Sequence, residues 1–194
     1  MKRSWFITAC LSACLFWPAC TPEKSGTDIP FREPAAWQEV LREKLPLLGH
    51  RNWIVVTDMA YPLQSRPGIT TLYAAEPYPE VLREVKERLE KAPHVSAVVY
   101  QDRELSFLHE EDCPGITRLK DEMRASLPPD GIKRVAHDRL IARLDSVSNR
   151  FEVVIIKTSL TIPYTSTFFE LDCRYWNGGK QAALEERMGK ALPE

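Results

Sequence analysis

A chain of 194 residues, 44% hydrophobic and 27% charged, is long enough for one domain with a sizeable core and has an ordinary globular composition. Its formal net charge of −1 leaves no basic footprint, which argues against a nucleic-acid partner. No internal repeat and no Gly-rich phosphate loop is visible, and neither Ser148 nor Ser166 stands in a nucleophile-elbow motif.

Residues 1–20 read as an export signal. Lys2 and Arg3 give a positive start, Ser4 to Ala19 are apolar and end in small residues, and residues 21–26 turn polar. The run is short for a membrane span and Pro18 sits near its end; a transmembrane anchor is the alternative. Cys20 and Cys14 each follow an alanine, in the manner of a bacterial lipid-attachment site. Cys14 has the better local sequence and Cys20 the better position, so Cys20 is favoured; cleavage without a lipid is the other possibility. The mature chain is then expected in the cell envelope, touching the membrane only through that lipid. Residues 21–34, with Pro22, Pro30 and Pro34, read as a tether to a domain over residues 35–194. In an exported protein Cys113 and Cys173 are either a disulfide or two free thiols.

Trp37, Val40, Leu41 and Leu45 recur at helical spacing, and Pro46 ends that helix. Ile54, Val55 and Val56 form a β-branched run, which predicts a buried strand. Arg66 to Gly68 is a turn, and residues 70–75 are a short strand. Pro79 opens a helix through Lys91 with Val81, Leu82, Val85 and Leu89 inward. His94 to Tyr100 is β-rich; a polar turn over 101–104 and the return of Leu105 to Leu108 suggest a hairpin. A helix over 115–126 and the turn 128–131 follow. Ile132 to Ala136 is a strand leading into a helix over 138–147, and Phe151 to Ile156 is a second buried strand. Thr167 to Leu171 is a final strand, and Gly178 and Gly179 open a last helix with Leu184 and Met188 spaced for one apolar face. Alternating strands and helices predict an α/β sandwich with a mostly parallel sheet.

His50 stands just before the first buried strand and Asp58 just after it, followed by Pro62. On a strand the two sit at opposite ends. They share a pocket only if the loop before the strand folds back, or if a neighbouring subunit supplies one of them. The plainer reading is a surface histidine and a capping aspartate. The end that carries Asp58 is where ligands bind in open α/β sheets.

Leu48, Gly49 and His50, the apolar strand, Asp58, and then Ala60, Tyr61 and Pro62 resemble the N-terminal signature of the ribose pyranase and fucose mutarotase family. A second block is similar as well: His137 at a helix start, a strand, then Pro163 and Tyr164. Together the blocks lie within residues 36–172. The resemblance implies a three-layer α/β/α sandwich assembled into homo-oligomeric rings, with sites between subunits. It implies an isomerase that interconverts ring forms or anomers of a free monosaccharide, ribose- or fucose-like, without a cofactor. His50, Asp58 and His137 are the implied catalytic residues, with Tyr164 and Ser166 binding the sugar. The family carries Asn at the position of Ser166, so one donor replaces an amide's donors and acceptor. The helix after residue 178 exceeds the usual family end.

Ring opening moves one proton off the anomeric hydroxyl and another onto the ring oxygen, so two groups titrating near neutrality suffice. His137 as a helix-capping or surface histidine and Tyr164 as a packing aromatic are the simpler alternatives. His94 and His109 are assigned no role. His50, Asp58 and His137 suit a metal by type, but no ligand spacing such as His-x₃-His supports one, so none is expected. The rival function is a non-catalytic sugar-binding envelope lipoprotein using the same pocket, and a weaker third is an envelope scaffold with a relic pocket.

Overall fold

The computed structural model describes residues 36–127 and 130–191; the segments read as an export signal, a lipid-attachment site and a tether lie outside them. α1 (Trp37–Lys44) buries Trp37 and Leu41 and passes into a 3-10 turn containing Pro46, which has no N–H to extend the ladder. β1 (Trp53–Thr57) is buried along its whole length, as its β-branched run predicts, and β2 (Ile69–Tyr73) follows the turn at Gly68. α2 (Tyr78–Lys91) buries Val81, Leu82, Val85 and Leu89, the expected face. β3 (Val95–Asp102), α3 (Ile116–Ser126), β4 (Lys133–Val135) and α4 (His137–Val147) come next, then β5 (Val153–Lys157), β6 (Thr167–Cys173) and α5 (Gly178–Ala191).

The six strands form one mixed sheet in the order β2-β5-β1-β6-β3-β4. β1 is parallel to β5, β5 to β2, and β3 to β4; β6 is antiparallel to both β1 and β3. Five strands therefore share one direction, and their carboxyl ends meet the start of β6 at one edge of the sheet. The period-two alternation of strand side chains splits the core into two layers. Ile54, Val56, Val154, Ile156 and Phe169 pack with α1, α2 and α3 on one face. Trp53, Val55, Val153, Ile155 and Phe168 pack with Leu140 and Leu144 of α4 on the other. Each such fully buried side chain contributes roughly 1.5–3 kcal/mol.

Two expectations need correction. The segment after β3 is a 3-10 turn (Arg103–Phe107) that buries Leu105, not the second arm of a hairpin. The edge it was expected to pair with is taken by β4, which bonds to β3 in parallel. α5 forms, but its apolar face does not enter the core: Met188 is exposed and only Leu184 is partly covered. Two large apolar residues in a helix opened by paired glycines offer too little area to hold it against the domain. Cys113 and Cys173 are free thiols. Among the described residues no helix is long and apolar enough to cross a membrane.

Candidate active site

β3 ends at Asp102, and its parallel partner β4 sets Val135 opposite that residue. α4 begins two positions later, so its first residue, His137, arrives above the end of β3. Its Nδ1 lies 3.1 Å from Oδ2 of Asp102. The His137 backbone N–H donates to the carboxylate of Glu104 at 3.1 Å, which fixes the helix start. Asp102 is fully buried. Neither of its oxygens, nor His137 Nδ1, has an aligned hydrogen-bond partner among the described residues. Buried polar atoms without aligned partners are costly, and a catalytic role, a bound water or an ion accounts for them in folded proteins.

β6 supplies the next wall. Its register with β3 pairs Gln101 with Thr167, which carries Ser166 to the position beside Asp102, one step further along. Ser166 is fully buried, and its Oγ also lacks a partner. Tyr164 stands two residues earlier with φ +57°, the left-handed region that non-glycine residues rarely adopt. Its ring meets the edge of the His137 ring at 5.3 Å between centroids. Tyr61, buried after β1, meets His137 from another side at 6.3 Å, and Phe168 at 6.5 Å. Thr165 holds the turn by donating to the carbonyl of Ile162.

Asp58 follows the end of β1 at the same edge. It is buried, and its Oδ1 accepts the N–H of Ala60 at 2.8 Å, so one oxygen is committed to the loop. Lys157 ends β5 opposite Thr57, and its ammonium donates to the carbonyl of Tyr61 at 2.6 Å. Burial raises the Asp102 carboxyl from its ordinary value to about 6; His137 works against that rise, and Glu104 and Asp58 add to it. Burial likewise raises the Tyr61 phenol, with the charges of Asp102 and Asp58 in the same direction.

The structure brings Asp58, His137, Tyr164 and Ser166 to one edge of the sheet. It does not bring His50 there within the chain. His50 precedes β1 and bonds through Nδ1 to Oδ1 of Asp172 at 2.7 Å, while Arg51 Nε donates to its Nε2 at 3.2 Å. Asp172 pairs with Ser96 at the start of β3, whereas Asp102 ends that strand. Six residues at about 3.3 Å each put the two ends roughly 20 Å apart. The loop before β1 therefore does not fold back over the far edge of the strand. His50 and Asp172 border a groove of about 630 Å³ with Tyr175 and Trp176. The Asp172 carboxyl is lowered by the Cys173 N–H and then by His50.

Sequence reasoning misses two residues of the site, Asp102 and Tyr61. Asp102 falls in a stretch that reads as a polar turn. The signal that could have found it is an aspartate closing a buried strand on the ligand-binding edge of an α/β sheet. Tyr61 lies within the N-terminal motif, but nothing local distinguishes it from a loop aromatic. His94 has a structural place: its Nε2 is 3.1 Å from the carbonyl of Leu45 and 3.0 Å from that of Leu48.

Chemically the arrangement is a carboxylic acid and an imidazole in contact, beside an unpartnered hydroxyl and two phenols. With Nδ1 turned to Asp102, Nε2 is the ring nitrogen left for a ligand. Among the described residues no group of three His, Cys, Asp or Glu side chains is placed to hold a metal ion.

No protein-family model matches the chain, and no curated protein does. Among solved structures it is similar to RbsD of Bacillus subtilis, determined in complex with D-ribose, at 15% identity and a TM-score of 0.49, over 73% of this chain and 97% of that one. It is similar to the fucose mutarotase of Streptococcus pneumoniae, determined with L-fucose, at 18% identity and a TM-score of 0.48, over 69% of this chain and 91% of that one. It is also similar to FucU of Bifidobacterium longum, at 16% identity and a TM-score of 0.44, over 69% of this chain and 94% of that one. These structural neighbours are of the group whose sequence motifs the chain resembles at Leu48–Pro62 and at His137 to Tyr164.

Proposed function

We propose that this chain binds a free monosaccharide at the edge formed by Asp102, His137, Tyr164 and Ser166, and catalyses interconversion of its ring forms. The observation that carries the reading is the buried Asp102–His137 pair, Oδ2 to Nδ1 at 3.1 Å, with the unpartnered Oγ of Ser166 beside it on β6. A sugar offers hydroxyls that both donate and accept, so one molecule can satisfy such a mixed set. Tyr164 and Tyr61 supply apolar ring faces of the kind that cover the C–H face of a pyranose. The neighbours determined with D-ribose and L-fucose name the sugars to try first.

In the proposed reaction Nε2 of His137 takes the proton of the anomeric hydroxyl. The C1–ring-oxygen bond breaks, its electron pair goes to the ring oxygen, and the C1 carbonyl forms. An acid delivers a proton to that oxygen. Closure by the same or another hydroxyl reverses the two transfers. Asp102 holds the imidazole and shares its charge; Asp58 and Ser166 bind hydroxyls. The second acid/base is His50 of a neighbouring copy, because within one chain His50 lies at the opposite end of β1. An assembly that sets one copy's His50 end on the next copy's Tyr164 edge completes the site and repeats head to tail, which closes into a ring. Met59 and Leu63, exposed on the loop after β1, are apolar surface for that contact. The protein is placed in the cell envelope by lipid at Cys20, or at Cys14.

One observation favours the second reading, a sugar-binding lipoprotein without catalysis. Ser166 offers one short hydroxyl where the resembled family carries an amide, so a sugar hydroxyl is held there by a single donor and less firmly. Saturation-exchange NMR of anomeric protons separates the two. The soluble chain from residue 21 is tested with ribose, fucose, galactose and glucose, beside His137→Ala and His50→Ala. Faster exchange of one sugar, lost in both variants, is the expected result. Broadening without faster exchange selects the binding protein, and neither effect removes both readings.

A further inference from the structure

A cavity on the opposite face of the sheet does not belong to this site. It is about 190 Å³, lies between α3 and the β3–β4 pair, and has an apolar floor that includes Met123 and Leu127. Its rim carries three cations, Lys120, Arg124 and Arg134, together with the hydroxyl of Ser106; no lining residue is acidic. Arg134 has no hydrogen-bond or ion-pair partner among the described residues, and partial burial and the nearby Arg124 guanidinium both lower its pKa. Arg124 is paired with Asp121 on its outer side, and Lys120 donates to the carbonyl of Leu108 at 2.7 Å. Three cations and no carboxylate line the cavity; Asp121 pairs with Arg124 outside it, and Glu110 and Glu111 share the adjoining groove with Lys120 and Arg124. Arginines facing each other across a cavity repel unless an anion lies between them, and the planar guanidinium fork suits phosphoryl oxygens.

We infer that this cavity binds the phosphoryl group of a small phosphate monoester, held by Arg134, Arg124 and Lys120. An anion with several oxygens suits the three lining cations, and the volume lies below that of pockets for drug-sized ligands, so the body of the ligand is compact. The inference does not rest on the sugar reading. It does bear on the same strands: Arg134 pairs with Gln101, one step before Val135 and Asp102. A ligand held there braces the strand that delivers His137.

The test is a titration of the ¹⁵N-labelled chain from residue 21 with inorganic phosphate at constant ionic strength, followed at the amides of Gln101, Ser106 and Arg134. The comparison proteins are Arg134→Gln, Arg124→Gln and the remote, exposed Arg42→Ala. Saturable shifts are expected in the parent chain and in Arg42→Ala, with affinity at least tenfold weaker in either glutamine variant. Both glutamine variants leave the apolar floor intact, and either one alone suffices should the other disturb the fold. Linear shifts without saturation, or equal affinity in the glutamine variants, would overturn the site. Equal affinity for acetate would overturn the assignment to a phosphoryl group.

Discussion

His137 Nδ1 lies 3.1 Å from Oδ2 of a fully buried aspartate, Asp102, and neither group has another polar partner at that contact. The two belong to different elements and meet because β4 pairs in parallel with β3 just before α4 begins. Burial raises the Asp102 carboxyl to about 6, and the adjacent imidazole works against that rise.

That relationship gives the first prediction. Asp102 has a folded-state pKa above its unfolded value, so its contribution to stability is fully present below about pH 4 and is lost as pH rises through about 6. Asp102→Asn keeps the shape and is neutral throughout. The variant is expected to match the parent at pH 4 and to exceed it at pH 7.5 by ~1–3 kcal/mol, since each tenfold change in proton affinity is worth about 1.4 kcal/mol and His137 returns part of the cost. Paired urea melts at the two pH values measure this. A variant less stable than the parent at pH 7.5 would show that the pair is net stabilising. Sugar exchange is expected to fall in the same protein.

The second concerns where His50 acts. If each site takes His137 from one copy and His50 from the next, His50→Ala and His137→Ala are each inactive, at a loss of about 10²–10⁴ in the acid/base contribution. Unfolding and refolding the two variants together then regenerates some sites with both histidines intact. Recovered exchange activity in the mixture, absent from either variant alone, is the expected outcome. A mixture that stays inactive, with mixed oligomers confirmed by mass spectrometry, would remove the shared-site arrangement.

Backbone strain at Tyr164 gives a third. A non-glycine residue at φ +57° costs of order 1–3 kcal/mol, so Tyr164→Gly relieves strain while removing the ring against His137. The variant is expected to be as stable as the parent or slightly more so, and to bind the sugar at least tenfold less tightly. Tyr164→Phe, which keeps the ring, is expected to lose less. Thermal melts and NMR titration separate the two effects. A large loss of stability in Tyr164→Gly would identify the ring as a packing element.

A fourth is purely structural. A Cβ at Gly68 would lie 2.2 Å from the carbonyl oxygen of Ser148 and 2.8 Å from that of Phe151, both backbone atoms. Gly68→Ala must therefore push β2 away from the segment between α4 and β5. A cost of at least ~2–3 kcal/mol is expected, the upper range for a single overpacking change. Gly49, which has open space around it, serves as the control: Gly49→Ala is expected to leave the denaturation midpoint nearly unchanged.

The periodicity of the chain determined most of the strands and helices by itself. The run Ile54–Val56 could only be buried, and the spacing of Val81, Leu82, Val85 and Leu89 could only give one apolar helix face, because both follow from local geometry and hydrophobicity. The block from His137 to Ser166 holds three of the residues that gather at the site edge, and Asp58 comes from the loop after β1, outside it. What the sequence left open was which ends meet. β6 is reversed between β1 and β3, β4 takes the edge expected of a hairpin, and Asp102 is thereby carried under His137. Strand order and direction are set by contacts between residues far apart in the chain, which no local pattern encodes. For the same reason the sequence showed His50 and Asp58 at opposite ends of one strand, and the tertiary structure decided that the chain does not fold back to join them.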